Sequence, residues 1–140
     1  MTDAGAIDLI RLEDADGNHC TVRVTGRQPG LPASHDVLRA EVLAHASFMD
    51  ARLELHLFQQ DLDAWEDELS RIAPGEGALM GGDRGLNLLF HMQEDCSLVL
   101  TINDPDRLSA MLWIRPPESW IPEHRHRLEQ VRQAWPPEAP

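Results

Sequence analysis

The hydrophobic period of this chain changes abruptly at "FQQDLDAWEDELSRI" (residues 58–72), and that change limits the fold more than any other feature. Just upstream, "VLRAEVLAHASF" sets Leu38, Ala40, Val42, Ala44, Ala46 and Phe48 on one side, and "ARLELHLF" does the same with Leu53, Leu55 and Leu57. Apolar residues at every second position mark a half-buried strand. Leu and Ala are mediocre strand formers, so a helix over 37–48 competes on propensity, and the alternation decides for strand. Downstream, Leu62, Trp65, Leu69 and Ile72 stand three or four apart, which gathers them within about 80° of helical arc. Acids fill the first turns and Arg71 the last, complementing the helix dipole. "APGEG" then ends the helix.

The rest of the chain repeats these two patterns. "IDLIRL" and "HCTVRVTG" form a hairpin around Asp16-Gly17, a pair suited to a turn with positive φ. "RQPGLPASHD" (27–36) reads as a loop, as does the glycine-rich "GALMGGDRGLN". "GLNLLFHMQ", "SLVLTIND" and "LSAMLWIR" read as three further strands, and "WIPEHRHRLEQVRQAW" as a helix with Pro122 in its first turn. The expectation is a single α+β domain over residues 1–140. It has one antiparallel sheet of about six or seven strands, a central helix over about 61–72, a C-terminal helix over about 120–135 and a frayed tail at 136–140. Phe58, Leu62, Trp65, Leu69 and Ile72 are expected to close its core.

Charge narrows the partners. The chain has 24 Asp and Glu against 12 basic residues, a net charge of −12, and every basic residue is arginine. Without lysine there is no Schiff-base chemistry and no phosphate-loop lysine. Such a surface repels nucleic acid and anionic lipid and attracts basic proteins. No apolar run approaches the roughly 18 residues of a membrane span, and the N-terminus has no basic region preceding an apolar one. Two cysteines, Cys20 and Cys96, make no disulfide framework, so a cytoplasmic protein with reduced thiols is expected.

Three constellations carry candidate chemistry. On the central helix Asp63, Glu66 and Asp67 share the face opposite the apolar stripe; that is where a surface helix puts its charges, and a docking face for a basic partner fits better than a metal or an acid–base pair. A turn at Met49-Asp50 would set Glu54 opposite His45 with His56 on the same face, a group suited to zinc if the register holds. His124 and His126 are two apart, about 200° around a helix, so they cannot share an ion, and His124 is expected to pack in a hydrogen-bonded core position. Cys20 alternates with Val22 and Val24 as a core residue. Cys96 lies beside Glu94 and Asp95 in a turn, an acidic setting unsuited to an activated thiolate. No catalytic residue can be nominated, and no metal or cofactor is expected. Trp65 and Trp135 belong to apolar stripes and Trp120 to a helix start, whereas Trp113 is a candidate binding anchor if its sheet face is open.

The spacing Phe58-x-x-Asp61-Leu62-x-x-Trp65-x-x-x-Leu69-x-x-Ile72 lies between two groups of strands. With the "IDLIRL" start, the "DGN" hairpin and the C-terminal W-I-x-x-H-R-x-R-L-x-x-V-R helix, it resembles small uncharacterised actinobacterial proteins over most of the chain. The strand–helix–strand centre is also distantly similar to the Wap-type immunity proteins of polymorphic toxin systems. That second resemblance implies a non-enzymatic protein that neutralises a toxin by binding it. The charge agrees, since nuclease toxins are usually basic and an acidic inhibitor gains steered association. A secretion or assembly chaperone and a small zinc-dependent hydrolase built on His45, Glu54 and His56 are the alternatives. A homodimer is compatible with each.

Overall fold

In the computed structural model, residues 5–27, 37–81, 86–105 and 107–136 are described. Most of the expected 27–36 loop and residues 137–140 of the tail lie outside them. The N-terminal half is a meander of four antiparallel strands in sequential order, β1 (Ile7–Glu13), β2 (His19–Arg27), β3 (Val37–Ala46) and β4 (Met49–Phe58). Helix α1 (Gln59–Arg71) follows without a loop. A second four-stranded meander comprises β5 (Gly77–Gly81), β6 (Asn87–Met92), β7 (Leu98–Asp104) and β8 (Leu108–Ile114), and helix α2 (Trp120–Ala134) completes the described chain.

The class is α+β, as the alternating and helical periods imply, but the expected single sheet of six or seven strands is in fact two sheets of four. The additional strand is β5, "GALMG", whose glycines disguised it as a loop. A Cβ on Gly77 would stand 2.9 Å from the Phe90 carbonyl oxygen, and one on Gly81 2.7 Å from that of Leu86. Gly81 also has φ +107°. Glycine here admits the neighbouring backbone rather than breaking the strand.

Residues 37–46 form a strand, and the β3–β4 turn falls at Ser47-Phe48 instead of Met49-Asp50. Both registers keep apolar residues facing apolar residues, so alternation could not choose between them. The observed one pairs all ten residues of each strand, from Val37↔Phe58 to Ala46↔Met49. The expected one would leave the start of β3 unpaired. Phe48, counted with the buried side, is therefore at the turn and exposed.

One hydrophobic cluster draws on the inner faces of both sheets and on both helices. Leu62, Trp65 and Leu69 are buried, with the Trp65 ring 5.3 Å from that of Phe90 on β6. Ile72 packs half-buried against the cluster, but Phe58 is 44% exposed and does not close the core as expected. It sits at the N-cap, where its N–H donates to Asp61 Oδ2 at 2.8 Å. An apolar N-cap side chain cannot satisfy a helix N-terminus, so Asp61 reaches back to do part of that work. Helix α2 lies along β1, held by Trp120, Leu128, Val131 and the fully buried His124.

Candidate interaction surface

The acidic helix face is partly committed within the molecule. Arg132 of α2 donates from Nη2 to Asp63 Oδ1 at 2.7 Å and from Nη1 to Glu66 Oε1 at 2.9 Å. The guanidinium is mostly covered while both carboxylates are exposed, so this fork fastens α1 to α2 across the surface. Glu68 pairs with Arg71. Asp67 is exposed and, among the described residues, has no partner. The three acids expected to form one docking face thus divide into two holding the helices together and one facing solvent.

The register separates the histidine constellation. His45 is opposite Asp50, with Nδ1 2.6 Å from Oδ1, and its ring stacks on His19 at 5.5 Å. Glu54 faces Glu41 and His56 faces Arg39. Among the described residues no group of three His, Cys, Asp or Glu side chains is arranged to hold a metal ion. Both cysteines are free thiols; Cys20 is buried, which pushes its pKa up to about 12 and leaves it unsuited to nucleophilic work.

Trp113 is the candidate the fold places in the open, 61% exposed on the outer face of the β5–β8 sheet. The register builds a row across all four strands from Leu79, Leu89, Thr101 and Met111, and beside it a second row from Gly77, His91, Val99 and Trp113. Leu79, Leu89 and Met111 are each about half exposed, so with Trp113 they account for four of the six large exposed hydrophobic side chains described. The third row, Gly81, Asn87, Asn103 and Ser109, is polar but uncharged. At the Trp113 end the rim carries Arg115 paired with Asp95 at 3.1 Å, and Gln93 bonded to His91 at 2.9 Å.

The outer face of the other sheet is charged. It presents Asp8–Arg23, Glu41–Arg52 and His45–Asp50 pairs. The β5–β8 face has no Asp, Glu, Lys or Arg among its outward side chains, in a chain of which 26% is charged. On a monomer, a large contiguous apolar patch is often functional, at about 300–600 Å². Sequence reasoning picked out Trp113 but missed Leu79, Leu89 and Met111. Adjacent apolar pairs such as Leu88-Leu89 and Met111-Leu112 hide which residue points inward. The absence of charge from the outward positions of all four strands, with Asp104 of β7 turned inward, was the signal that could have found them.

No helix among the described residues is long and apolar enough to cross a membrane. Residues 7–136 match the model of DUF5959, a family of unknown function. No curated protein and no solved structure matches the chain.

Proposed function

The chain belongs to the DUF5959 family, and from its surface we propose that it is a non-enzymatic binding protein that docks another protein on the outer face of the β5–β8 sheet. The observation that carries this reading is the charge-free row of Leu79, Leu89 and Met111 with Trp113 beside it. Covering such side chains is worth about 2 kcal/mol each at roughly 25 cal/mol per Å², and tryptophan is a frequent hot-spot residue. The net charge of −12 surrounding this face favours a basic partner, by steering the encounter and by opposing acidic competitors. A cytoplasmic immunity protein that neutralises a basic toxin is the function we assign, and two free thiols suit that compartment.

The test begins with the product of the gene adjoining this one. It should be a basic protein, toxic when expressed alone and harmless when this chain is co-expressed. By calorimetry, Trp113→Ala should weaken the complex about 30-fold, the equivalent of about 2 kcal/mol, and Leu89→Ser by a lesser factor. Asp67→Arg should act mainly on association rate and salt dependence. Unchanged affinity in both Trp113→Ala and Leu89→Ser would remove this face from the reading.

A chaperone or adaptor is the second reading, favoured by the same uncharged face, which would suit an apolar client segment. It differs in outcome, because a client bound by a chaperone keeps its activity. The zinc hydrolase lost its geometric basis when Glu54 paired with Glu41 instead of His45.

A further inference from the structure

Two four-stranded sheets have four edges, and three of them are covered or charged. Along β1, Arg11 N–H donates to His124 Nε2 at 3.0 Å and Arg127 Nη1 donates to the Asp8 carbonyl at 3.2 Å. Side chains of α2 thereby take up ladder groups that have no strand partner. Strand β5 lies against α1, and β4, which touches α1 and β5, carries Asp50, Arg52 and Glu54 along its length. The edge of β8 differs: Asp14 takes the Arg115 N–H just past its last residue, at 3.1 Å, but nothing comparable lies along the strand itself among the described hydrogen bonds. Among the described residues its only extensive neighbour is β7, and it contains no proline, no charge and no bulge. Proteins blunt exposed edges with those devices, and an unblunted apolar edge is a template for another strand.

We infer that β8 is the edge along which two copies of this chain pair, antiparallel, about a two-fold axis at Met111. "LSAMLWI" complements itself in that register. Met111 faces its own copy, Leu112 faces Ala110 and Trp113 faces Ser109, large against small, and Ile114 faces Leu108, so no polar or charged side chain larger than serine enters the seam. The identity of the occupant follows from this self-matching and from charge. Two molecules of net charge −12 approach most easily along a strand that carries none. Arg107 and Arg115 come opposite each other at the flanks, and each brings its own carboxylate, Asp104 at 2.9 Å and Asp95 at 3.1 Å. Pairing yields one continuous eight-stranded sheet and moves Met111 and Trp113 from the margin of the apolar face to its middle. The inference stands without the toxin-binding reading, since it concerns the backbone edge and needs no other protein.

Cysteine cross-linking in a Cys96→Ser background tests it. Residue 111 meets its copy at a separation of about 4.5–5.5 Å, inside the roughly 4.4–6.8 Å span of a disulfide. Met111→Cys should therefore form a covalent dimer on mild oxidation. Thr101→Cys, one strand further in, should not. Sedimentation of the unmodified chain at roughly 100 µM, a concentration suited to a small interface, should show a monomer–dimer equilibrium. Met111→Lys, which sets like charges opposite each other, should weaken it about fivefold with an unchanged circular dichroism spectrum. A strictly monomeric chain, or cross-linking by Thr101→Cys in preference to Met111→Cys, would overturn the inference; the latter would mean that the copies stack by their faces.

Discussion

His124 shows how much one side chain can be asked to do. The Trp120 carbonyl, 2.7 Å from Nδ1, can only accept, so Nδ1 carries the proton and Nε2 is free to accept from Arg11 N–H. Both ring nitrogens are thus satisfied in the neutral form, and a second proton would remove the acceptor that Arg11 needs. Burial lowers the pKa from 6.5; the Trp120 bond opposes that shift, the Arg127 charge adds to it, and Glu123, 4.0 Å from Nδ1, opposes it again. A base whose folded pKa is lowered binds fewer protons folded than unfolded, so stability rises with pH through that window. His124 should therefore stabilise the fold fully above pH 6.5 and progressively less as pH falls toward its folded pKa. Urea denaturation across that range should show the loss, and His124→Leu should flatten it while lowering stability by about 1–3 kcal/mol, since Arg11 N–H is left unpaired. Asp14 titrates in a lower window. Burial alone would raise its pKa, but N–H groups of Arg115, Asn18 and Asp16 donate to it and hold it below 3.8. A separate residue-scale gain lies at Cys96, which has φ +69° without being glycine. Cys96→Gly should raise the thermal midpoint by the equivalent of about 0.5–1 kcal/mol.

Among elements, those with an unambiguous period were legible in the chain. The stripe Leu62, Trp65, Leu69 gave α1, and the alternation of β3 and β4 overruled their weak strand propensity. What failed was whatever depends on backbone proximity, which has no periodic signature. The glycines of β5 are needed because β6 passes within contact of them, and nothing in "GALMGG" announces that. A variant with Gly77→Ala should be destabilised despite the better intrinsic propensity of alanine, and Gly81→Ala more so, because its backbone is also left-handed; chemical denaturation of the two would order them. The helix pair depends on long-range proximity in the same way. Arg132 was visible as a helix charge, but its position between Asp63 and Glu66 follows only from how α2 crosses α1. A double-mutant cycle of Arg132→Gln with Asp63→Asn should give a coupling of about 0.3–1 kcal/mol, the range of exposed pairs. For that reason reversing Asp63, Glu66 and Asp67 together would confound docking with helix attachment, whereas Asp67→Arg alone probes the surface.

At the scale of the whole molecule, charge and apolar surface are segregated. Acids and their arginine partners cover the β1–β4 sheet and the helices, and the β5–β8 sheet is left bare outside and open along β8. Composition disclosed the charge but not the segregation, because a net charge of −12 has no address until the strands are paired. Segregation gives the two interactions opposite responses to salt. Pairing of two copies brings together bodies of like charge, with the repulsion acting over a Debye length of about 10 Å at 0.1 M. Added salt screens that repulsion, so the dimer along β8 should tighten between about 0.05 and 0.5 M salt, where the screening length shortens several-fold. Binding of a basic partner draws on attraction and should weaken over the same range, mainly through a slower association rate. Sedimentation for the first and stopped-flow binding for the second would read the two slopes. A dimer that weakens with salt would be held by the Arg107 and Arg115 flanks and their carboxylates, contrary to a pairing driven by "LSAMLWI". A partner complex indifferent to salt would rest on the apolar face alone, and the acidity of the chain would then have no part in recognition.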